Sequence, residues 1–279
     1  MLKNLHTAES QGFLPHYRLP ALSFVPKAGM PEVLLPIWEA LNNGNPTMAE
    51  MRARHQLQQQ TPDQPDVHAA LKAALAAAAL FSGATDQAKR LAGLALDIYP
   101  AQWLAHRIIL SILAARRAYK AAYMHLDRLE SPGPVPMWDE PLSHRERQHA
   151  LAAWSWQLAE WDTVATHLQT AYPEGVTSMP RPLQADWFRL CLYRNDPDEA
   201  ASAAAILIAE RPAPVADEVL QTLVQCGWTG RALPLYWAAY RREPGNELLR
   251  RRLVALCIRE GQLEQARELT RPGALSMAA

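Results

Sequence analysis

Histidines, carboxylates and cysteines are the side chains from which this chain could build a reactive site, and their spacing does not assemble one. Nine histidines are scattered along 279 residues. His144 and His149 stand five apart, which places them about 140° around a helix, a poor chelating geometry. Asp139 and Glu140 adjoin in a proline-rich stretch. Glu160 and Asp162 flank Trp161 at a helix start, where carboxylates meet a favourable dipole, and that structural role outweighs paired-acid catalysis. Cys191, Cys226 and Cys257 are odd in number and lack a CxxC or Cys/His ligand spacing. Each falls in an apolar helical context, so buried free thiols are expected rather than a disulfide or a zinc site. Phosphate-binding Gly-x4-Gly-Lys-Ser/Thr, dinucleotide Gly-x-Gly-x2-Gly, His-Glu-x2-His and Gly-x-Ser-x-Gly are all missing from the sequence. The expectation is a protein that is not an enzyme, with no metal and no cofactor.

The background composition narrows the class further. Apolar residues make up 49% of the chain, and 28 basic residues balance 28 acidic ones. Without a basic block the chain lacks the electrostatic footprint of nonspecific nucleic-acid binding, so no nucleic acid is expected as partner. Arg241, Arg242 and Arg250 to Arg252 form the densest cluster and read as a solvated helix face. The alanine-rich run 69–81 is short for a bilayer and carries Lys72, so no membrane insertion is expected. The N-terminus has no secretory apolar core before Pro15 and Arg18, and a cytoplasmic location follows as the expectation.

The elements that must position these residues are helical. No alternating apolar/polar run of useful length occurs. Leu253, Leu256, Gly261 and Ala266 repeat Val219, Thr222, Gly227 and Ala232 at a shift of 34 residues. The same grammar can be followed backwards through Asn195 and Ala200, then Ala159 and Val164, then Arg117 and Ala122. It continues through Gly83 and Ala88 to a divergent first pair at Gly44 and Ala49, whose first helix is expected over 31–42. A turn residue, a small residue five later, a large residue beyond it and a closing proline (Pro62, Pro100, Pro173, Pro212, Pro244) make one helical hairpin. The small residue lets two antiparallel helices approach, the turn residue relieves a left-handed step, and proline ends the second helix. A loop at 131–142 lengthens one step. Across residues 1–30 no helical period survives the interruptions of Pro15, Pro20 and Pro26. These residues read as an extended arm, either frayed or docked by Phe13, Tyr17 and Phe24 onto the helical body or a partner.

This period and grammar resemble the tetratricopeptide repeat family, over about 65–270 and more weakly from 31. The resemblance implies an all-α superhelix (solenoid) of six to seven stacked hairpins over 31–271, followed by a tail at 272–279. It departs from the family where Arg117 and Asn195 replace glycine, where Val164 replaces alanine, and in the blurred first-helix pattern. In that family the first helix of each hairpin lines a concave surface that binds extended peptides. Helical spacing then assigns to the inner face Phe81, Arg107, His149, Trp156, Gln157, Arg189, Tyr193, Asp217, Gln221, Gln225, Arg251 and Arg259. The asparagine-and-lysine clamp of the family's chaperone cofactors is absent, since the matching positions hold Ser111, Ala153, Arg189 and Gln221. The expected function is a noncatalytic protein–protein interaction scaffold holding a partner segment in the groove. The alternative is an accessory or regulatory subunit of a larger enzyme assembly, in polysaccharide synthesis, export or secretion. It would be contacted through the convex face, the proline-rich loop and Trp138. The last hairpin ends without a polar capping helix, which leaves that end open to a partner or to self-association.

Overall fold

A computed structural model describes residues 12–59, 64–129, 135–209 and 211–271. Pro62, the first part of the 131–142 loop, the start of the N-terminal arm and the 272–279 tail lie outside the described residues. Among the described residues the regular structure is entirely helical, with fourteen α-helices and no strand. The described part of the chain divides into two compact units, residues 17–160 and residues 12–16 with 161–271.

The first unit contains α1 (Leu35–Asn42), α2 (Pro46–Gln59), α3 (Pro65–Phe81), α4 (Thr85–Ile98), α5 (Trp103–Ala115), α6 (Tyr119–Asp127) and α7 (His144–Gln157). Each packs on its neighbour in the chain, and α3 also touches α1 and α5. Crowding of that kind explains the alanine run: Ala69, Ala70, Ala73, Ala74 and Ala76 to Ala78 are buried on every side of α3. A helix that is apolar all round must be covered all round. No helix among the described residues is long and apolar enough to cross a membrane. The expected start of α1 at residue 31 is corrected. Residues 31–34 form turns in which the Leu34 and Leu35 amides donate to the Pro31 and Glu32 carbonyls, and the α-helix begins at Leu35.

The second unit contains α8 (Trp161–Ala171), α9 (Arg181–Tyr193), α10 (Pro197–Ile208), α11 (Ala213–Gln225), α12 (Thr229–Arg242), α13 (Glu247–Arg259) and α14 (Leu263–Thr270). Here too each helix packs on the next, and α10 touches α12 as α11 touches α13. A buried polar cluster ties three of them together. The Tyr236 hydroxyl on α12 donates to Asp217 of α11 at 2.7 Å and accepts from the Gln221 amide at 2.7 Å. Arg252 of α13 reaches the same Asp217 carboxylate at 3.2 Å.

Among the described residues, seven turns between successive helices share one backbone geometry. Gly44, Gly83, Gly227 and Gly261 have φ between 67° and 84°, and Arg117, Ala159 and Asn195 adopt φ of 55° to 58° at the corresponding positions. In each turn the left-handed residue donates to the carbonyl three residues back. The residue after it donates to the carbonyl five back, as Ala84 does to Ala79 at 2.8 Å and Ala118 to Leu113 at 2.9 Å. Paired bonds of this kind satisfy the last carbonyls of a helix. Five residues beyond, Ala49, Ala88, Ala122, Val164, Ala200, Ala232 and Ala266 are buried, six of the seven completely or nearly so.

Candidate interaction surface

The arm supplies the first positioned contacts. Between Tyr17 and Lys27 it has no regular secondary structure and meets α7, then α5, then α3 and α1. The Tyr17 hydroxyl donates to the Glu146 carbonyl on α7 at 3.3 Å, and the Tyr17 ring meets His149 edge-on with centroids 6.5 Å apart. One guanidinium nitrogen of Arg107 on α5 donates to the carbonyls of Pro20 at 3.1 Å and Ala21 at 2.7 Å. Phe24 is buried with its ring edge-on to Trp38 of α1 at 6.1 Å and to Phe81 of α3 at 5.6 Å. Three to four residues therefore separate successive contacts. An extended chain covers about 10–13 Å in that span, close to the 8–10 Å separation of packed helices. Of the aromatics expected to dock the arm, Tyr17 and Phe24 thus lie against helices of this unit.

The local sequence explains why the surface can take this arm. Ser143 and Glu146 form a reciprocal cap at the start of α7, the Ser143 amide donating to the Glu146 carboxylate at 2.8 Å. That fixes the turn whose carbonyl Tyr17 uses. Burial first, and then the nearby Glu146, pushes the Tyr17 phenol well above its ordinary range, so it stays a donor. Burial, followed by Arg145, lowers His149, which keeps the ring neutral against the arm. Arg107 is only 8% exposed, and the two main-chain carbonyls give its buried charge the acceptors it requires. Beyond it, Ser23 and Lys27 of the arm share a small cavity with Trp38, Arg107 and Asp139, and Lys27 pairs with Glu140 at 3.1 Å.

In the second unit the arm's first described residues meet α9. The Leu14 amide donates to Asp186 at 2.7 Å, and Arg189 pairs with the same carboxylate at 3.2 Å. A side chain on Gly12 would place its Cβ 1.8 Å from the Asp186 carboxylate, so only glycine allows this approach. Burial pushes Asp186 up to about 6, against the lowering effect of the Leu14 amide and Arg189.

Of the residues expected on the inner face, Phe81, Arg107 and His149 thus meet residues 17–24, and Arg189 lies at the Asp186 contact with Leu14 in the other unit. Tyr193 instead stacks on Trp161, with centroids 4.4 Å apart and planes 13° from parallel, which is packing between neighbouring helices. Gln221 and Asp217 belong to the Tyr236 cluster. Trp156 is half-buried and Gln157 exposed at the end of α7; Gln225 and Arg259 are exposed, and Arg251 pairs with Glu247 at 2.7 Å.

Two expectations are corrected. Trp138 is not an exposed loop contact: it is buried, because Asp139 beside it accepts from the Trp103 amide at 2.6 Å and from Gln102 at 2.9 Å, drawing the loop onto the start of α5. Cys226 is exposed rather than buried, since it stands at the C-terminal cap of α11 where the core face has ended. One feature escaped the sequence reading. His106 Nε2 lies 2.7 Å from the Pro100 carbonyl and so must carry the proton, which leaves Nδ1 to accept from His125 Nε2 at 3.0 Å. Burial lowers His106 to about 4 and keeps the pair neutral. Among the described residues no cluster of three metal-ligating side chains occurs.

A scan against protein-family models found no match, and a search of curated proteins found none either.

Proposed function

We propose that this chain is a noncatalytic interaction scaffold, a tetratricopeptide-like solenoid of helical hairpins whose first-helix face holds an extended protein segment. The observation that carries the reading is Arg107, whose guanidinium grips two successive main-chain carbonyls of a non-helical segment. Main-chain recognition flanked by aromatic contacts is how grooves take extended peptides. The repeated left-handed turns and buried small residues support the repeat assignment, and helix pairs that cover one another's apolar faces support a stack stabilised by nearest neighbours. The buried, unbridged thiols of Cys191 and Cys257 accord with a reducing, cytoplasmic home.

The test is selection of peptides from a random library on the full-length chain, with Arg107→Ala and Phe81→Ala variants as controls. Enriched peptides are expected to bind the wild type and to lose at least tenfold in affinity on Arg107→Ala. A correctly folded chain that enriches no sequence would sink the scaffold reading.

A further inference from the structure

We propose that residues 17–30 are a displaceable ligand carried in cis, and that the partner segment has the arm's own chemistry. This inference rests on the scaffold reading and names what the surface takes. The occupant it describes is a short, non-helical, proline-interrupted segment. It has an aromatic residue at its first position, two main-chain carbonyls for Arg107 at the fourth and fifth, and a second aromatic at the eighth. Tyr17, Pro20, Ala21 and Phe24 stand at those positions.

Three observations carry it. The arm is anchored at separate points: the Phe24 ring between Trp38 and Phe81, one guanidinium on its carbonyls, Lys27 on Glu140, the buried Met30, and Tyr17, whose ring meets His149 and whose hydroxyl bond is long at 3.3 Å. Between those anchors one edge of the arm faces outward, with Arg18, Ala21 and Ser23 exposed and Val25 57% exposed, while Leu19 and Leu22 on the other edge pack against the helices. Its recognition elements also belong to the helices. Phe81 keeps 49% exposure even with Phe24 against it, and is an apolar surface on which another aromatic can sit. A tethered ligand competes at an effective concentration in the millimolar range, so a free segment of equal intrinsic affinity binds the wild-type chain measurably but more weakly than a chain whose tethered arm has been loosened.

The experiment uses the full-length chain and a labelled peptide of residues 17–30, followed by fluorescence anisotropy. Phe24→Ala in the chain, which loosens the arm while leaving the helices' contact residues intact, is expected to tighten binding of the wild-type peptide at least tenfold over the unmutated chain. Adding Arg107→Ala is expected to abolish that gain. A second measurement needs no mutation: a saturating peptide is expected to raise amide hydrogen exchange of residues 17–25 in the wild-type chain. Equal binding to the wild-type and Phe24→Ala chains, with the variant's helical signal intact, would overturn the proposal, as would binding that leaves arm exchange unchanged. Library-selected peptides that bind with no effect on the arm would sink the competition and spare the scaffold. A folded chain that binds neither the arm peptide nor any selected one would sink both.

Discussion

Arg117, Ala159 and Asn195 hold left-handed backbone conformations that their side chains disfavour. An L residue there costs roughly 1–2 kcal/mol, least for asparagine, and glycine gives part of this back through a more flexible unfolded chain. Arg117→Gly and Ala159→Gly are therefore expected to stabilise the protein by about 0.5–1 kcal/mol, and Asn195→Gly by less, read from urea unfolding midpoints. The grammar of turn residue and alanine was legible even at these positions because the left-handed step is forced by the hairpin, whichever residue occupies it. The Tyr236 hydroxyl, completely buried, was not legible as a cluster member. It completes a site whose other groups come from α11 and α13. Tyr236→Phe leaves Asp217 with a lost donor and Gln221 with a lost acceptor, and is expected to cost about 1–3 kcal/mol.

At the scale of elements, the tightest demand is where α3 and α4 cross. Ala88, Ala92 and Ala95 are completely buried there against an alanine-rich helix. Ala88→Leu must push the two backbones apart, and overpacking of this kind costs roughly 1–3 kcal/mol; thermal unfolding followed by circular dichroism measures it. The loop to α5 contact adds a pH dependence. Burial raises the Asp139 carboxyl from 3.8 to about 6, while the Trp103, Glu140 and Leu104 amides pull it down. Because the folded value lies above the unfolded one, the associated stability is fully present below pH 3.8 and is lost as pH rises through about 6. Asp139→Asn keeps an acceptor for the Trp103 amide and removes the charge. Between about pH 4 and pH 7 the variant is expected to show a smaller decline in urea midpoint than the wild type. Neither this contact nor the Leu14 bond to Asp186 could be read from spacing, since their partners stand 36 and 172 residues apart in the chain. Proline placement did reveal that the arm is not an α-helix. Which helices receive it depends on Arg107 and Phe81, residues that periodicity could assign to a face but not to an occupant.

At the scale of each whole unit, the described helices make their main contacts with helices adjacent or next-but-one in the chain. Stability then accumulates pair by pair, and damage stays near its origin. Hydrogen exchange of an Ala88→Leu variant is expected to rise in α3, α4 and their immediate neighbours while α11 to α14 keep wild-type protection; uniform loss of protection would refute local coupling. The all-helical class was legible throughout because its signal recurs in every hairpin, whereas the surface carrying the arm depends on single residues that appear once. The Arg107 contact has one more implication. Carbonyl oxygens are the same whatever side chain is attached, so the stretch around Pro20 and Ala21 can drift freely in evolution without losing its hold, and homologous arms should vary most where the arginine touches them and least at the ring that fills the aromatic notch.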